Sequence, residues 1–360
     1  MDKYEKKNRS AIKNRRKKIK RRRILSVFLF LLLIIGSIVG YIFYQTYNAA
    51  SESYTEIENR TDGKSKLREE PVQISTDPVS ILLLGIEDYS DEFDKGRSDT
   101  LMVATFNPSQ GNMKLLSIPR DTLVKIPGRK NRDKINHSFS YGGKELTIET
   151  VEDFLDIPID YFVTVNFQGF INIVDELGGV NVEVPFDFSD INNKWDRFYF
   201  KEGKMHLDGE EALVYARMRK YDPRGDFGRN DRQKQIVMSV IDKLSTPKTL
   251  LKIDDIGAEI GRNVETNLRI REALAFRKKY SDFNSTKIET LNITGYDKYI
   301  NDVYYFEPDD ENIATIKEEL QNHLHGNQMA NSSENESGFT TENGNNEPTE
   351  SEKSYRTDNN

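Results

Sequence analysis

The stretch VSILLLGI, from Val79 to Ile86, decides the fold of this 360-residue chain. It is a continuous apolar run of the kind that marks a strand buried on both faces of a sheet. Two similar runs follow at short intervals, TLMVATFN over residues 100–107 and MKLLSI over residues 113–118. The three runs predict successive strands of one central sheet.

Further strands and amphipathic helices alternate along the rest of the chain. Strands are predicted over residues 161–167, 180–184 and 287–294. Helical patterns cover residues 144–155, 168–177, 209–219, 231–244, 246–267, 269–280 and 311–323. This alternation predicts an α/β fold in which helices cover both faces of the sheet and ligands bind near strand ends.

The amino terminus has the pattern of a membrane anchor. A basic leader at residues 1–23 precedes an uncharged apolar segment at residues 24–44. At ~1.5 Å rise per residue, that segment is long enough to cross a hydrocarbon core of about 30 Å as a transmembrane helix. A signal peptide cleaved near Ala49 and Ala50 is the alternative, although its apolar region and leader would be unusually long. Because positive residues stay inside, we expect a single-pass cell-membrane protein with a cytoplasmic amino terminus and an extracytoplasmic folded part.

Charge and cysteine content exclude several classes of protein. Residues 1–23 carry +11, so the formal net charge of −7 for the whole chain leaves −18 for the remainder. Such an acidic surface predicts no nucleic-acid partner, and the basic leader suits anionic lipid head groups better than DNA. The chain has no cysteine, which excludes a disulfide framework and a thiolate zinc site.

Composition also sets the domain boundaries. Residues 45–78 are polar and contain Pro71 and Pro78, so we expect an extracytoplasmic stalk. Residues 79–325 hold the predicted strands and helices and form the main folded domain. Residues 326–360 are almost free of apolar side chains and predict a disordered polar tail, because they cannot bury enough surface to order themselves.

The most densely charged part of the predicted domain spans residues 215–233. Its charged residues are Arg217, Arg219, Lys220, Asp222, Arg224, Asp226, Arg229, Asp231 and Arg232. Guanidinium groups hold phosphate oxygens bidentately and keep their charge, so this density suits a diphosphate. A solvated salt-bridge surface on a charged helix is an equally simple interpretation.

Polar residues also stand at the ends of the first three strands. Glu87 and Asp88 follow the first strand, GRSDT (residues 96–100) leads into the second, and SIPRDT (residues 117–122) leaves the third. Because sheet topology can bring these ends to one rim, we expect Arg97, Asp99 and Arg120 to face one cleft with the arginine-rich stretch. Asp99 with Glu87 or Asp88 would there supply carboxylates for Mg²⁺, which bridges protein and phosphate.

Each of these residues has a simpler alternative role. Asp99 could cap backbone N–H groups, and Arg120 could pair with Asp121 or Asp226. The chain has four scattered histidines, no Walker A loop and no GxGxxG after a strand, so a histidine metal site and nucleotide binding lack support. The single Trp195 and its aromatic neighbours fit a loop against lipid or sugar and fit a core equally well.

Taken in order, the motifs LLLGI, GRSDT, SIPRDT, KINHSFSYGG and YARMRKYDPRGDFGRNDRQ resemble the LytR-CpsA-Psr family. The resemblance runs from Val79 to about His323. It implies a three-layer α/β/α sandwich with a central mixed sheet and a lipid tunnel, preceded by one transmembrane helix. It also implies a Mg²⁺-dependent phosphotransferase that moves wall teichoic acid or a similar glycopolymer from a polyprenyl diphosphate carrier to a peptidoglycan hydroxyl. Polyprenyl phosphate would be released.

The same resemblance implies roles for individual residues. Arg97 would contact phosphate and Asp99 would bind Mg²⁺. The other residues implied to hold the diphosphate are Arg120, Arg217, Arg219, Arg229 and Gln233. Asp226 would be the general base, although other carboxylates could serve. The family commonly has Asp where this chain has Glu87, followed by Asp88, so which of the two binds the metal stays open.

Two further functions stay open at this level. A polyprenyl diphosphate hydrolase would use the same site with water in place of the sugar hydroxyl. A membrane-bound transcriptional attenuator would need a DNA-binding module, and the leader of 23 residues is too short to fold into one. Residues 154–173 and 236–251 are apolar enough to line a lipid groove and are equally suited to a core.

Overall fold

The computed structural model describes residues 54–58, 60–87, 96–246, 263–280 and 283–325. None of the helices in these ranges has the length and apolar character of a membrane span. The predicted leader, transmembrane helix and polar tail, at residues 1–23, 24–44 and 326–360, lie outside the described residues.

A mixed sheet of six strands lies at the centre of the described fold. Its strands are β1 (Val79–Ile86), β2 (Ser98–Asn107), β3 (Asn112–Ile118), β6 (Tyr161–Asn166), β11 (Val264–Thr266) and β12 (Ile288–Asn292). Their order across the sheet is β11-β6-β1-β2-β3-β12. β1 runs antiparallel to β2 and parallel to β6, and β3 runs parallel to β12. The predicted mixed sheet is therefore confirmed.

Shorter strands pair in separate two-stranded sheets. These pairs are β4 (Leu123–Lys125) with β5 (Arg132–Lys134), β7 (Val180–Val184) with β10 (Gly203–Leu207), β8 (Phe188–Ile191) with β9 (Arg197–Phe200), and β13 (Gly295–Ile300) with β14 (Val303–Pro308). Of these strands, only β7 was predicted from the sequence. Its strict alternation of buried and exposed residues distinguishes it from the others.

Six helices are described: α1 (His137–Leu155), α2 (Phe167–Glu176), α3 (Gly209–Arg217), α4 (Asp226–Leu244), α5 (Ile270–Lys279) and α6 (Asp310–His325). Gly142 and Gly143 leave helical backbone angles, so the regular part of α1 begins at residue 144, as predicted. α3 opens with a capping box in which the Asp208 carboxylate accepts from the Glu211 N–H.

The helices cover both faces of the sheet. On one face, Leu82, Leu84 and Ile86 of β1 share a buried cluster with side chains of α1 and α6. On the other face, Met102 and Phe106 of β2 share a cluster with side chains of α4 and α5. The described residues thus form the three-layer α/β/α arrangement.

Two predicted helices differ from those observed. The helix predicted over residues 246–267 is wrong at its end, because Val264–Thr266 forms β11 and pairs with β6. Two of its three residues are β-branched and suit this edge position. α4 begins at Asp226, ahead of the predicted start at residue 231. The second half of the arginine-rich stretch therefore lies on the first turns of a helix.

The described part of residues 45–78 lies against the sheet and α1. Arg60 Nη2 is 2.8 Å from Glu152 Oε1 of α1, and both side chains are buried. Arg68 Nη2 is 2.7 Å from Asp160 Oδ2, just before β6. These ion pairs attach the segment that precedes β1 to the rest of the described fold.

Candidate active site

The ends of β1, β2 and β3 meet at one edge of the sheet. Gly85 of β1 lies opposite Thr100 of β2, and Leu101 of β2 lies opposite Ile118 of β3. The residues just beyond these pairs consequently become neighbours. Arg120 Nη1 donates to Asp99 Oδ1 over 2.7 Å. The common rim that the sequence predicted is present.

Two cavities adjoin at this rim. The first, here called the polar cavity, has a volume of about 670 Å³ and is lined mainly by charged and polar side chains. The second, here called the apolar groove, has a volume of about 750 Å³. Arg120, Arg219 and Lys220 line both cavities and mark their junction.

The apolar groove runs between the sheet and helices α2 and α4. Its lining includes Ile81 and Leu83 of β1, Val163 of β6, Phe170 of α2 and Ile236 of α4. In β1, the groove-facing residues are only half-buried, whereas the alternate residues are fully buried on the opposite face. The prediction that β1 is buried on both faces is therefore wrong for one face, which forms a wall of the groove.

The predicted lining segments line the groove only in part. Val163 and Phe170, within residues 154–173, contribute to the lining, as does Ile236, within residues 236–251. Leu155 and Phe162 instead lie in the core on the opposite face of the sheet. Residues 247–251 lie outside the described ranges.

The arginine-rich stretch divides into residues that face the site and residues that support it. Arg217, Arg219, Arg229 and Gln233 line the charged end of the groove. The Arg232 side chain is only 1% exposed and pairs with buried Asp222. Its Nε also donates to the Tyr215 carbonyl over 3.1 Å. Arg224 pairs with Asp231 at the surface, so neither Arg224 nor Arg232 lines the groove.

Glycines permit this arrangement at the start of α4. A Cβ atom on Gly228 would lie 1.9 Å from Asp222 Oδ2, so only glycine leaves room for the Asp222–Arg232 pair. Gly225 has a φ of 58°, in the left-handed region that glycine adopts most readily. The turn between α3 and α4 is thus fixed so that Asp226 and Arg229 lie on the first turn of α4.

Asp226 and Arg229 form a buried pair with unused hydrogen-bonding capacity. Arg229 Nη2 lies 2.9 Å from Asp226 Oδ1. Within the described residues, neither Asp226 oxygen has a hydrogen-bond partner of good geometry, and the same holds for Nε and Nη2 of Arg229. Burial raises the pKa of Asp226 and outweighs the opposing effect of Arg229 and Arg120. Burial also lowers the pKa of Arg229. Buried polar atoms without such partners are commonly satisfied by water, an ion or a ligand, or have a catalytic role.

Glu87 and Arg217 meet at the same end of the groove. Arg217 Nη2 donates to Glu87 Oε1 over 3.1 Å, and its guanidinium carbon lies 4.5 Å from the centre of the Phe167 ring. Arg97 is exposed and lines the polar cavity. Asp88 lies outside the described residues, so the choice between Glu87 and Asp88 stays a prediction.

The carboxylates present fit a magnesium ion that is shared with a substrate. Glu87 and Asp99 both line the charged end of the groove, and each accepts an arginine N–H through one oxygen. Across the part of the chain that the structure describes, no group of three His, Asp or Glu side chains could hold a metal. Mg²⁺ is usually held by one or two carboxylates, with phosphate oxygens and water as further ligands. These two residues match that donor set.

Several residues of the site were given no role by the sequence. Lys220 lines both cavities, and Asn136, His137 and Tyr304 line the polar cavity. Asn136 and His137 belong to the quoted KINHSFSYGG motif, and that motif is the sequence feature that could have identified them as site residues. Tyr304 lies in β14, in a hairpin that no sequence pattern predicted.

The fold has three layers, α/β/α, and its polar cavity adjoins the charged end of the apolar groove. Together these features define the class of protein, one that can bind an anionic head group on a lipid chain. The LytR_cpsA_psr family model matches residues 40–322, and this chain belongs to that family.

Similar proteins carry related names. The chain is 52% identical over 310 residues to the polyisoprenyl-teichoic acid–peptidoglycan teichoic acid transferase TagV of Bacillus subtilis strain 168, covering 84% of this chain and 78% of that protein. It is 44% identical over 306 residues to TagU of Halalkalibacterium halodurans, which has the same transferase name, covering 84% and 98%.

Solved structures show the same fold. The crystal structure of B. subtilis TagV matches with a TM-score of 0.63 and 53% identity, covering 69% of this chain and 98% of that one. TagT bound to LIIa-WTA matches with a TM-score of 0.64 and 34% identity, covering 75% and 99%. The predicted family is confirmed.

Proposed function

We propose that this protein transfers wall teichoic acid from a polyprenyl diphosphate carrier to a hydroxyl of peptidoglycan. The observation that carries the proposal is the junction of the two cavities, where Arg120, Arg219 and Lys220 stand at the end of an apolar groove. The transferase names of relatives at 52% and 44% identity support the same substrates.

Each cavity holds a different part of the lipid-linked donor. The polyprenyl chain occupies the groove between the sheet and α4, where its apolar surface leaves water. The diphosphate lies at the charged end, where Arg120, Arg219 and Arg229 hold its oxygens. The glycopolymer then extends into the polar cavity, from which the acceptor also approaches.

The reaction is a phosphoryl transfer. The acceptor hydroxyl oxygen attacks the phosphorus that bears the glycopolymer, and the bond from that phosphorus to the bridging oxygen breaks. The bridging oxygen leaves with polyprenyl phosphate, and a phosphodiester joins polymer and peptidoglycan. Arginine side chains stabilise the charge that develops on the phosphate oxygens.

Asp226 accepts the proton of the attacking hydroxyl in this proposal. It lines the polar cavity, on the side from which the acceptor comes. Its raised pKa suits a general base, because a stronger base takes the hydroxyl proton more readily.

We include Mg²⁺ in the proposed site, with Asp99 and either Glu87 or Asp88 as the residues that would hold it. When bound, the ion would neutralise phosphate charge. The proposal also includes the cell membrane as the location, with the catalytic domain outside the cytoplasm. The basic leader, the predicted membrane helix and the lipid nature of the donor support this.

A reconstitution assay tests the proposed function. Full-length protein is given a lipid-linked teichoic acid precursor, with and without peptidoglycan oligomers and with Mg²⁺ or a chelator. We expect polyprenyl phosphate and polymer-linked peptidoglycan to form in equal amounts, and only when acceptor and Mg²⁺ are present. Polyprenyl phosphate released at the same rate without acceptor would indicate a hydrolase instead.

A further inference from the structure

Trp195 has an unusual position for the only tryptophan of the chain. It stands in the loop between β8 and β9, and 81% of it is exposed. Its φ of 67° lies in the left-handed region, which a bulky side chain rarely adopts. An indole in contact with water and a strained backbone are both energetically unfavourable. Strained backbone conformations concentrate at functional sites.

The loop that carries Trp195 is held in one conformation by its own hydrogen bonds. Asn192 Oδ1 accepts from the backbone N–H groups of Lys194 and Asp196, each over 2.9 Å. The Trp195 N–H donates to the Asn192 carbonyl over 3.1 Å. Because the loop is already ordered, presenting the indole to a ligand requires little further loss of conformational entropy.

This loop lies beside the charged end of the apolar groove. Asn193 Oδ1 accepts from Arg217 Nη1 over 3.0 Å. The other nitrogen of that guanidinium, Nη2, contacts Glu87, and both residues line the groove. Tyr199, on the adjoining strand β9, is 69% exposed. The loop that carries the exposed Trp195 is therefore bonded to a residue at the charged end of the groove, and Tyr199 is exposed on the strand that follows the loop.

Sugars and bilayer interfaces are the two ligands that such aromatic side chains recognise. A sugar subsite also needs polar side chains that are free to bond hydroxyl groups. Here Asn193 is bonded to Arg217, and Asn192 is bonded to the loop backbone and to Asp196. The bilayer interface needs only the amphipathic aromatic surface, so these contacts favour lipid.

We propose that the 192–196 loop inserts Trp195 into the head-group region of the membrane, with Tyr199 beside it. This proposal rests on the proposed function and deepens it. Insertion would bring Arg217 and the charged end of the groove to the depth at which the carrier diphosphate lies. The polyprenyl chain could then pass from the bilayer into the groove without crossing water.

Tryptophan fluorescence tests the insertion directly, because the full chain contains no other indole. Full-length protein is reconstituted in vesicles with and without brominated lipids, which quench only indoles that lie within the bilayer. We expect strong quenching by brominated lipid and weak quenching by aqueous acrylamide. Strong acrylamide quenching without an effect of brominated lipid would overturn the proposal. Protection by soluble peptidoglycan fragments alone would instead indicate a sugar platform.

Transfer assays separate insertion from catalysis. Trp195→Asn removes the indole but keeps a residue that tolerates left-handed backbone. We expect transfer from a long-chain carrier in vesicles to fall about tenfold, because burial of the indole is lost. Transfer from a short-chain carrier in detergent should be unchanged, and Tyr296→Asn, which alters a residue 60% exposed on β13, should change neither rate.

Equal losses with both carriers, or no loss with either, would contradict the role of Trp195. Thermal unfolding of Trp195→Asn checks that the variant is folded. If wild-type protein transferred polymer from neither carrier, the proposed function would fail. The fluorescence result would still report whether Trp195 enters the bilayer.

Discussion

At the scale of single residues, Asp226 combines a proposed role as general base with an environment that disfavours its charge. It is buried without hydrogen-bond partners of good geometry in the described structure, and burial raises its pKa. Because the folded state binds the proton more tightly than the unfolded state, the stability linked to Asp226 is present at low pH. It is lost as pH rises through the raised folded-state pKa.

The variant Asp226→Asn should separate these two properties. We expect the transfer rate to fall by roughly 10²–10⁴-fold, the range for a lost general base. The free energy of unfolding near neutral pH should stay equal or increase, because the cost of burying the Asp226 charge outweighs its attraction to Arg229, as the raised pKa of Asp226 indicates. Transfer assays and urea unfolding measure the two effects. A large loss of stability would show that Asp226 is a structural residue.

Asp99 tests the metal part of the proposal. Asp99→Asn keeps the size of the side chain but removes the charge that faces Arg120 and the proposed Mg²⁺. We expect a loss of roughly 10²–10³-fold in transfer and a higher Mg²⁺ concentration for half-maximal rate. Asp231→Asn is the matched control, because Asp231 pairs with Arg224 at the surface. Equal transfer rates and equal Mg²⁺ dependence in Asp99→Asn and Asp231→Asn would argue against Asp99 as a Mg²⁺ ligand.

The sequence predicted some residue contacts and not others for a clear reason. That Arg120 and Asp99 face one cleft follows from strand topology, because adjacent strand ends must lie close together. The ion pair between them was not predicted, since Asp121 and Asp226 were the expected partners of Arg120. Arg229 and Arg232 stand three residues apart in one motif, yet Arg229 faces the groove and Arg232 is buried against Asp222. The tertiary packing of α4 decides this difference, and no local sequence pattern encodes it.

At the scale of elements, the turn between α3 and α4 determines where the cationic side chains point. The buried Asp222–Arg232 pair holds this turn, and Gly228 leaves room for it. The arginine-rich stretch has the sequence of a solvated helix surface. Part of it nevertheless has a structural role, because Asp222 and Arg232 form a buried pair within it. The helix start at Asp226 was missed because the four residues before residue 231 include a glycine and two polar residues.

The substitution Gly228→Ala should disrupt the Asp222–Arg232 pair. The added Cβ would collide with Asp222 Oδ2 and separate a buried ion pair, which we expect to cost roughly 3–5 kcal/mol of the free energy of unfolding. Gly225→Ala is the control, because its Cβ meets no atom within 4 Å and only the positive φ is strained. That strain should cost about 1–2 kcal/mol. Chemical denaturation measures both values, and equal losses would refute the packing argument.

A second prediction at this scale concerns His323, which lies in α6. His323 Nδ1 lies 2.8 Å from Thr105 Oγ1, and Nε2 lies 2.9 Å from Asn112 Oδ1. Burial, with a smaller effect of Lys114, lowers the pKa of His323 from 6.5 to about 4. The stability linked to neutral His323 is therefore present above pH 6.5 and lost as pH falls toward 4.

Replacement of His323 should remove this pH dependence. The pKa difference corresponds to about 3 kcal/mol by linkage. Wild-type protein should lose stability of that order between pH 6.5 and about 4, whereas His323→Gln should lose much less over the same interval. Urea unfolding across this range measures the difference. Parallel curves for the two proteins would contradict the buried neutral histidine.

At the scale of the whole molecule, the proposed function depends on two adjoining cavities, one polar and one apolar. The mixed character of the sheet was implied only by the family resemblance. The strands of the central sheet other than β11, and the rim at their ends, were predictable, because apolar runs and strand ends are local features of the sequence. The groove was not, because side chains that line a lipid-binding groove have the same apolar pattern as a core. The β8–β9 and β13–β14 hairpins were also missed. β8 and β9 have only four residues each, and β13 is almost entirely exposed, so neither hairpin begins with a strand that has an apolar periodic pattern.

The central claim is that a polyprenyl diphosphate lies with its phosphates at the cavity junction and its chain in the groove. A crystal structure of the protein with farnesyl diphosphate tests this most directly. We predict that the diphosphate contacts Arg120, Arg219 and Arg229, and that the farnesyl chain lies between the sheet and α4. A diphosphate bound elsewhere, with the chain outside the groove, would contradict the account.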